Sequence, residues 1–451
     1  ARLDVAKGPY SVRHGDFATA AAIDFVPWTS APESIVKLEA GEFDTWRAVG
    51  LASPRGGAFD DGRASALVSI EAYHTDGPFR NDEDLTRVSV FGSGSAMLGD
   101  DVRVFGHVLG YDADWNASGL IPQRLVDAGA LSRFGSLDPT EGGSSTRVQG
   151  KLGAEWTPTP QTRVNAFGYL VHYDLDLFSN FTFALADPAN GDGIVQKDDR
   201  IQAGGNLEIE RLLDAPFDGA LRGGLATRYD DARVRLGTQT RRTPTGFTSD
   251  DDVRELSVAP YVELELLPAS WVRFVSGVRY EIFEYDVQSH LPGGPRFRGD
   301  DRIWLPKANL VLTPFAGGGP LPSDWQPARD LELFLSFGVG FHSNDVRAAV
   351  ADERILARAP GAEIGIHTHL LPNVTFSLGA FWLEIEDELV FVGDEGTTES
   401  SGRTRRLGVE VAARADLTDW LYVRGDAGFT DARTTAEDAR LVQAPRFIAK
   451  G

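Results

Sequence analysis

The chain has 451 residues, with 44 Lys and Arg against 66 Asp and Glu, and its formal net charge is -22. Phosphate binding needs a basic face, so this charge argues against nucleic acid as a partner. The sequence has no cysteine, which excludes a disulfide framework and a thiolate metal site. No apolar run reaches the roughly 18 residues of a transmembrane helix, and the first residues lack the basic-then-apolar pattern of a secretory leader.

The first residues form an unusual opening stretch, KGPYSVRHGDFATAAAIDFV, at 7–26. Gly8-Pro9 and Gly15-Asp16 are turn-forming pairs. The small-residue run that follows ends in alternating apolar residues. The pattern predicts a short strand pair, with one strand near Val5 and the other at 23–25.

Alternation of apolar and polar residues dominates the rest of the chain. From 255 to 266 the even positions are apolar and the odd positions are largely polar. Successive side chains of a strand point to opposite faces, so this pattern predicts a strand with one apolar face. We expect Leu256, Val262 and Leu264 to face lipid and Glu263 to face a lumen. Pro260 cannot donate to a ladder, so a bulge is predicted there.

The same pattern predicts about seventeen strands, many of ten or more residues, and an eighteenth opening near Leu441. The predicted strands are 34–41, 43–52, 64–74, 85–94, 102–112, 145–156, 162–173, 201–211, 220–236, 253–267, 271–286, 303–313, 331–341, 361–370, 374–392, 404–417 and 420–432. Strands of a soluble sandwich are usually shorter, so the length of the predicted strands favours tilted membrane strands.

Short and long connections alternate between these strands. The short turns are TPTPQ (157–161), PAS (268–270), LPN (371–373) and TD (418–419). The long polar connections are 113–144, 174–200, 237–251, 287–302, 342–357 and 393–403. One connection on the short side, 316–330, is long. Such alternation is typical of outer-membrane barrels, with short periplasmic turns and long extracellular loops. We therefore predict one antiparallel sheet in which sequence neighbours pair, curled as an incomplete barrel.

The opening stretch resembles the end of the plug domain of TonB-dependent outer-membrane receptors. The match comprises Lys7, Gly8, Pro9, Gly15, Asp16, Phe17, Ala18 and Ala22, and the departure is Ala21, where a second glycine is usual. Further stretches resemble the same family in family order. They are GEFDTWR (41–47), YHTDGPF (73–79), GSLDPTEGG (135–143), LFSNFTFALADPANGD (177–192), FGVGFHSNDVR (337–347) and GRTRRLGVEVAA (402–413).

The resemblance implies a 22-stranded transmembrane β-barrel of which about 17–18 strands are present. Residues 1–30 would be the C-terminal end of the plug domain, and 31–451 a barrel truncated at its C-terminus. The chain is thus expected to be an internal fragment. Residues 2–26 are expected inside the barrel, because a lumen of this size cannot be filled by wall side chains alone.

The resemblance also implies the function: an outer-membrane receptor that imports a scarce nutrient of the iron–siderophore, cobalamin or glycan class. Its implied partners are the energy-transducing TonB complex, through a plug segment absent here, the small-molecule ligand and outer-membrane lipid. Arg13, His14 and Asp16 would lie where plug meets wall or ligand cavity, and they are the predicted ligand-binding residues. No cofactor and no enzymatic activity are expected.

A rival hypothesis is a soluble, secreted β-rich carbohydrate-active enzyme or a calcium-dependent binding module. Residues 190–199, NGDGIVQKDD, resemble a calcium-binding loop, with Gly193 as the turn glycine and Asp199 as the last carboxylate. The first ligand position falls on Pro188, which has no side-chain oxygen. A solvated loop is therefore the preferred interpretation of this stretch.

Overall fold

The described residues of the computed structural model form an almost all-β structure. They are residues 2–189, 191–214, 218–315, 319–320, 330–347, 355–371, 373–386, 389–392, 397–400, 402–441 and 444–451. No helix among them is both long and apolar enough to cross a membrane. Short helical segments among the described residues include a 3₁₀ turn at Gly57–Phe59 and helix α1 at Gln123–Asp127. The predicted connection at 316–330 lies almost wholly outside the described residues.

The described residues form twenty-two strands in three sheets. The first strands are β1 (Arg2–Lys7), β2 (Ala21–Val26), β3 (Ile35–Ala40), β4 (Trp46–Ala52), β5 (Ala64–Thr75), β6 (Leu85–Leu98), β7 (Val102–Asn116), β8 (Gly142–Thr159), β9 (Thr162–Ser179), β10 (Ile194–Leu213) and β11 (Asp218–Thr240). The others are β12 (Thr243–Ala269), β13 (Val272–Ser289), β14 (Arg296–Leu312), β15 (Glu332–Ser343), β16 (Leu356–Leu371), β17 (Val374–Ile385), β18 (Leu389–Val392), β19 (Thr397–Ser400), β20 (Thr404–Thr418), β21 (Leu421–Thr434) and β22 (Phe447–Lys450).

Eighteen strands form one antiparallel ring. Its order is β3 to β17, then β20, β21 and β22, and back to β3. Each strand pairs with its sequence neighbour, as predicted, except that the separate hairpin β18–β19 intervenes between β17 and β20. The closed ring replaces the incomplete barrel expected from the sequence, and it closes between β22 and β3.

The strands from β10 to β14 are longer than the sequence predicted. Strand β12 has 27 residues, and β11 has 23. The polar stretches 237–251 and 287–302, which were expected to be loops, are therefore mostly strand, and 174–200 is strand only at its two ends, 174–179 and 194–200. Ion pairs such as Lys197–Asp176 and Arg233–Asp250 join neighbouring strands there. A strand whose outer face is polar lacks the apolar alternation that predicts a lipid-facing strand.

The bulge predicted at Pro260 is absent. Pro260 pairs with Leu225 of β11 in an unbroken register. On the other side, Val258 pairs with Ile282 and Tyr261 with Arg279, so no extra residue is inserted between them. The ladder to β13 omits residues 259 and 260, as the missing proline N–H requires.

The outer face of the ring carries an apolar band. On β12, Leu256, Val262 and Leu264 are 38%, 44% and 36% exposed, as the alternation predicted. The outward positions from Leu256 to Leu266 span about 33 Å along the strand, or about 25 Å after a tilt of roughly 40°. This is the height of the lipid-facing band of an outer-membrane barrel. A soluble enzyme or binding module would bury this face.

The band ends abruptly at the long-loop end of the barrel. Leu256 pairs with Tyr229, and the next outward pair is Arg254 with Asp231, joined by an ion pair of 3.2 Å. On β14 the change comes between Trp304, which is 58% exposed, and Arg302. Aromatic side chains at the edge of an apolar band are typical of a membrane interface. Ionised side chains beyond that edge are in water.

The inner face of the same strands is polar and closely packed. Ser257 and Tyr261 of β12 are buried, and so are Arg279 and Glu281 of β13. Higher in the lumen a hydrophobic cluster lines the inside of the barrel mouth. It comprises Val253, Phe283, Val287, Ile303, Leu305, Phe341, Val346, Ile355 and Leu356. The region after β15 thus contributes Val346 and Ile355 to the barrel interior.

Candidate functional site

Strands β1 and β2 form a separate hairpin at the inner wall of the barrel. Their register pairs Val5 with Ile23 and Leu3 with Phe25, as the alternation predicted. The connecting residues 8–20, here called the hairpin loop, contact inward-facing groups of β10 to β16. The backbone N–H of Phe17 donates to the carbonyl of Phe341 at 3.1 Å. The hairpin is thus attached to the wall by its loop.

Two side chains of β14 hold the first half of the hairpin loop. The Lys307 ammonium donates to the carbonyls of Pro9 and Val339 at 2.6 and 2.7 Å, and Asn309 donates to the carbonyl of Tyr10 at 3.0 Å. Gly338 makes this close approach possible, since a Cβ there would lie 2.2 Å from the Pro9 oxygen. Any larger residue would displace the loop from the wall.

Arg13 makes a two-pronged contact with the wall. Its guanidinium donates to both carboxylate oxygens of Glu208 on β10, at 2.7 and 2.6 Å. The Tyr261 hydroxyl donates to the same carboxylate at 3.0 Å. The hydrogen bonds from Arg13 to Glu208 raise the pKa of Arg13. A planar fork on a carboxylate fixes orientation as well as distance, so Arg13 sets the register of the loop on the wall.

Asp16 joins two distant parts of the barrel. One carboxylate oxygen accepts the backbone N–H of Ser343 at 2.6 Å, and the other accepts the Ser343 hydroxyl at 2.5 Å and an Arg228 N–H at 3.0 Å. Arg228 also pairs with Asp230 and Glu255. One guanidinium therefore balances three carboxylates, one from the hairpin loop and two from the wall. We call these four side chains the Arg228 network.

His14 faces the lumen between these two anchors. It lines a cavity of about 930 Å³ whose walls come from the hairpin and strands β6 to β13. Burial lowers the pKa of His14, the nearby cations Lys307, Arg13 and Arg279 act in the same direction, and Asp24 opposes them. The side chain is thus held as neutral imidazole, which can both donate and accept a hydrogen bond.

All three predicted site residues, Arg13, His14 and Asp16, line this cavity. Arg13 and Asp16 are at the same time bound to the wall. Sequence reasoning missed the other polar groups of the cavity, among them His107, Lys151 and Tyr169. These residues lie at the alternate positions of β7, β8 and β9 that face the lumen, and this alternation could have been read from the sequence. It does not show at which height of the lumen a side chain lies.

The stretch at 190–199 is not arranged as a calcium loop in the part of the chain that is described; Asn190 lies outside it. Asp199 is within β10, opposite Asp174 and Arg233. Asp192 accepts the backbone N–H groups of residues 185–187 and the Thr182 hydroxyl, at 2.7–3.2 Å. These donors lower the pKa of Asp192 to about 2. The carboxylate closes a loop rather than presenting free oxygens.

A single arginine braces the long-loop end of the barrel. Arg242, at the tip of the β11–β12 hairpin, donates to the carbonyls of Thr140 and Glu141 at 2.7 and 2.9 Å and to Asn116 at 2.8 Å. Its guanidinium also lies over the ring of Phe178. The tall β11–β12 hairpin therefore holds the connection from β7 to β8 in place above the lumen.

Together, a ring of tilted strands, an outer apolar band and a polar lumen define a transmembrane β-barrel of the outer-membrane type. The family model described as "TonB dependent receptor-like, beta-barrel" matches residues 90–451. The chain belongs to the TonB-dependent receptors, a family of outer-membrane transport receptors and not of enzymes. Members of the family import nutrients across the outer membrane.

Solved structures of similar fold support this assignment. The ferric citrate transporter FecA, in its unliganded form, aligns with a TM-score of 0.80 at 14% identity, covering 99% of this chain and 67% of that one. The ferric yersiniabactin uptake receptor FyuA from Yersinia pestis aligns with a TM-score of 0.76 at 14% identity, covering 99% and 69%. The copper transporter OprC gives 0.75 at 14% identity, covering 99% and 69%. No curated protein sequence matches the chain.

Proposed function

We propose that this protein is a receptor of the outer membrane that imports a scarce nutrient with energy supplied through TonB. The observation that carries the proposal is the reversed polarity of the wall: apolar side chains face outward over about 25 Å, while charged side chains bind a hairpin inside. Such a wall is stable only in lipid, and its lumen is built to hold a polypeptide.

We assign residues 1–30 to the end of the plug domain and residues 31–451 to the barrel. The hairpin loop contacts strands of the barrel wall, whereas β1 and β2 pair only with each other among the described strands. Leu3, Val5, Ile23 and Phe25 share one exposed face of that hairpin. An exposed apolar face inside a lumen fits packing against further plug residues.

The transported nutrient belongs, in this proposal, to the class of iron–siderophore chelates. Cobalamin and glycans are the other candidates. The similar structures favour a metal compound, since they are a ferric citrate transporter, a ferric yersiniabactin uptake receptor and a copper transporter. The cavity beside His14 offers charged groups of both signs and aromatic rings, including Lys151, Glu155 and Tyr169, which suit a polar chelate with apolar edges.

We propose different roles for the three predicted ligand-binding residues. All three line the cavity, and in this proposal His14 is the one that contacts the ligand or its path. Arg13 and Asp16 position the hairpin loop, because their polar atoms are engaged by Glu208, Ser343 and Arg228. They respond to the ligand only by releasing those partners.

Uptake by whole cells tests the proposal. A strain lacking the gene is compared with its parent for accumulation of a panel of radiolabelled ferric siderophores, cobalamin and an oligosaccharide, with and without a protonophore. We expect loss of energised uptake of one ferric chelate. Loss restricted to cobalamin or to the glycan would overturn the chelate assignment alone. Uptake that is unchanged for every class, or insensitive to the protonophore, would overturn TonB-coupled import itself.

A further inference from the structure

A cluster of metal-ligating side chains lies on the outer surface at the long-loop end of the barrel, where the apolar band ends. His74 is near the end of β5, and Asp76 follows that strand. Asp84 comes directly before β6, and Asp44 is in the turn between β3 and β4. We call these four residues the rim cluster. On β5, Val68 and Ile70 are exposed lipid-facing side chains, and His74 has the same parity.

The donor atoms of the rim cluster converge. One ligand atom from each of His74, Asp76 and Asp84 lies within 4.8 Å of the other two. The His74 Nε2 is 3.5 Å from an Asp76 oxygen and 3.8 Å from an Asp44 oxygen, and its Nδ1 is 4.0 Å from an Asp84 oxygen. Two tetrahedral ligands of a zinc ion, each about 2.1 Å from the metal, are about 3.4 Å apart.

The imidazole is oriented by a second contact. The Nδ1 of His74 lies 3.2 Å from the Thr86 hydroxyl on the neighbouring strand. If Nδ1 carries the proton toward that hydroxyl, the lone pair of Nε2 faces carboxylate oxygens. With that tautomer Nε2 and the carboxylate oxygens are all acceptors, and a cation between them would satisfy them together. An outer-shell hydrogen bond that fixes the histidine tautomer is a regular feature of metal sites.

Charge balance distinguishes this cluster from its surroundings. Several carboxylates elsewhere on the outer surface face arginine or lysine, as in Asp250 with Arg233 and Asp176 with Lys197. Asp199 and Asp252 face the histidines His172 and His290. Among the described side chains, Asp44, Asp76 and Asp84 form ion pairs only with His74. Three carboxylates thus share one imidazole, and even an imidazolium leaves two negative charges unbalanced.

The backbone around the rim cluster is preorganised. The N–H of Asp76 donates to the carbonyl of Phe43 at 2.8 Å, which ties the β5–β6 connection to the β3–β4 turn. The hydroxyls of Thr45 and Thr75 are 2.6 Å apart between the same two segments. Trp46 stacks against the His74 ring at 5.9 Å between ring centroids. Ligands held on such a frame need little reorganisation to bind an ion.

We propose that His74, Asp76 and Asp84 bind one divalent first-row transition-metal ion, with Asp44 as a further ligand or counter-charge. A ligand set of one imidazole and carboxylates suits zinc and its neighbours, whereas calcium and magnesium prefer oxygen ligands alone. The ion fastens the β3–β4 turn to the β5–β6 connection at the rim. This site is separate from the lumen and does not depend on which nutrient the receptor imports.

Metal titration of the full chain in detergent tests the proposal, with zinc sulfate as the probe. We expect one equivalent of zinc, with at least about tenfold weaker binding in His74→Asn and in Asp76→Asn, since loss of even an outer-shell partner costs about 10–100-fold. The matched control is His290→Asn. His290 also lies on the outer surface, but it faces one carboxylate, Asp252, at 2.8 Å, and its loss should leave zinc affinity unchanged.

X-ray absorption of the zinc-loaded wild-type protein provides a test that needs no variant. One imidazole with two or three oxygen ligands is the expected first shell, and calcium in large excess should not displace the zinc. Absence of stoichiometric binding, a shell without imidazole, or binding that survives His74→Asn in a correctly folded barrel would each overturn the proposal. Folding of the variants is verified by their heat-modifiable migration on gels.

Discussion

The two faces of strand β12 follow opposite rules. On the outer face, Leu256, Val262 and Leu264 are exposed, and on the inner face Glu263 and Glu265 are largely covered, with side chains 12% and 15% exposed. In a soluble protein the covered face would be apolar. The inversion shows that the outer face is solvated by lipid, whereas side chains in the lumen need hydrogen bonds and paired charges.

The largest expected effect comes from placing a charge on the outer face. Val262→Arg, near the middle of the apolar band, should reduce the free energy of unfolding from bilayers by about 2–4 kcal/mol. The reason is that the guanidinium must enter hydrocarbon. Equilibrium denaturant titration of the barrel in lipid vesicles measures the effect.

The control for this substitution lies on the same strand beyond the band. Thr248→Arg, at an exposed position of the tall β11–β12 hairpin, should cost no more than about 1 kcal/mol, as charges near or beyond the interface do. Equal costs for the two arginines would show that the outer face of β12 is not in lipid.

The next effect concerns the inner face. Arg228→Met should reduce the free energy of unfolding by about 3 kcal/mol, at the low end of the cost of breaking a buried pair, because the lumen is partly hydrated. The substitution leaves Asp16, Asp230 and Glu255 without their shared counter-charge. Amide hydrogen exchange of residues 8–20 should also accelerate in this variant, since the hairpin loop loses the contact of Asp16 with Arg228.

The outer face of the same strand provides the comparison for that result. Arg233 of β11 also pairs with a carboxylate, Asp250, but its side chain is 46% exposed. Arg233→Met should therefore cost less than about 1 kcal/mol. A larger loss at Arg233 than at Arg228 would contradict the central role of the Arg228 network.

Fold class was predictable because the outer face obeys a simple rule. The period-2 alternation around Leu256 and Leu407 arises from lipid on one side, and family resemblance at residues 7–26 added the hairpin. Strand ends were not predictable. Above the band the outer face of β10 to β14 carries charged side chains such as Arg233 and Arg254, so polar sequence there is compatible with either loop or strand. Pro260 was misread because a missing ladder bond does not require an inserted residue.

The candidate site was less predictable than the fold. Arg13, His14 and Asp16 are close in sequence, but their partners are Glu208, Arg228 and Ser343, far away along the chain. Only the register of the whole ring brings these groups to one height. The rim cluster likewise joins residues from strand β5 and two connections, and single-sequence reading gave no reason to group His74 with Asp44 or Asp84.

A smaller effect is expected at the long-loop end, where Asp192 closes the loop at 180–192. Its pKa is lowered to about 2 from 3.8 by backbone N–H donors. A depressed carboxyl pKa stabilises the folded loop at pH values above the ordinary carboxyl pKa of 3.8. This stabilisation disappears as the pH falls through about 2. Pepsin should therefore cut within 180–192 at pH 2 but not at pH 4, as mapped by mass spectrometry.

Asp192→Asn separates the loop from the rest of the barrel. Hydrogen bonds to a charged acceptor contribute about 1.5–3 kcal/mol, so the neutral variant should open its loop about tenfold more often and be cut at pH 4 as well. If the variant and the wild type are cut equally at both pH values, the Asp192 carboxylate does not hold this loop.

The smallest effect concerns His14, whose protonation makes the docking of the hairpin loop depend on pH. Burial lowers the pKa of His14 in the docked hairpin, reinforced by Lys307, Arg13 and Arg279 and opposed by Asp24. A histidine that is less basic when docked favours docking at pH values above its free value of 6.5, and loses this preference as the pH falls below it. At pH 5.5 protonation favours the undocked loop by at most about tenfold.

A spin label measures this effect, because the chain has no native cysteine and Ala20→Cys gives a single attachment point on the exposed end of the hairpin loop. The mobile fraction of the label should rise severalfold between pH 7.5 and 5.5. In a His14→Gln background, which keeps a neutral polar side chain, the pH dependence should vanish while Arg13 and Asp16 still hold the loop. A mobile fraction that falls on acidification would reverse the sign and show that His14 is docked as imidazolium, stabilised by Asp24.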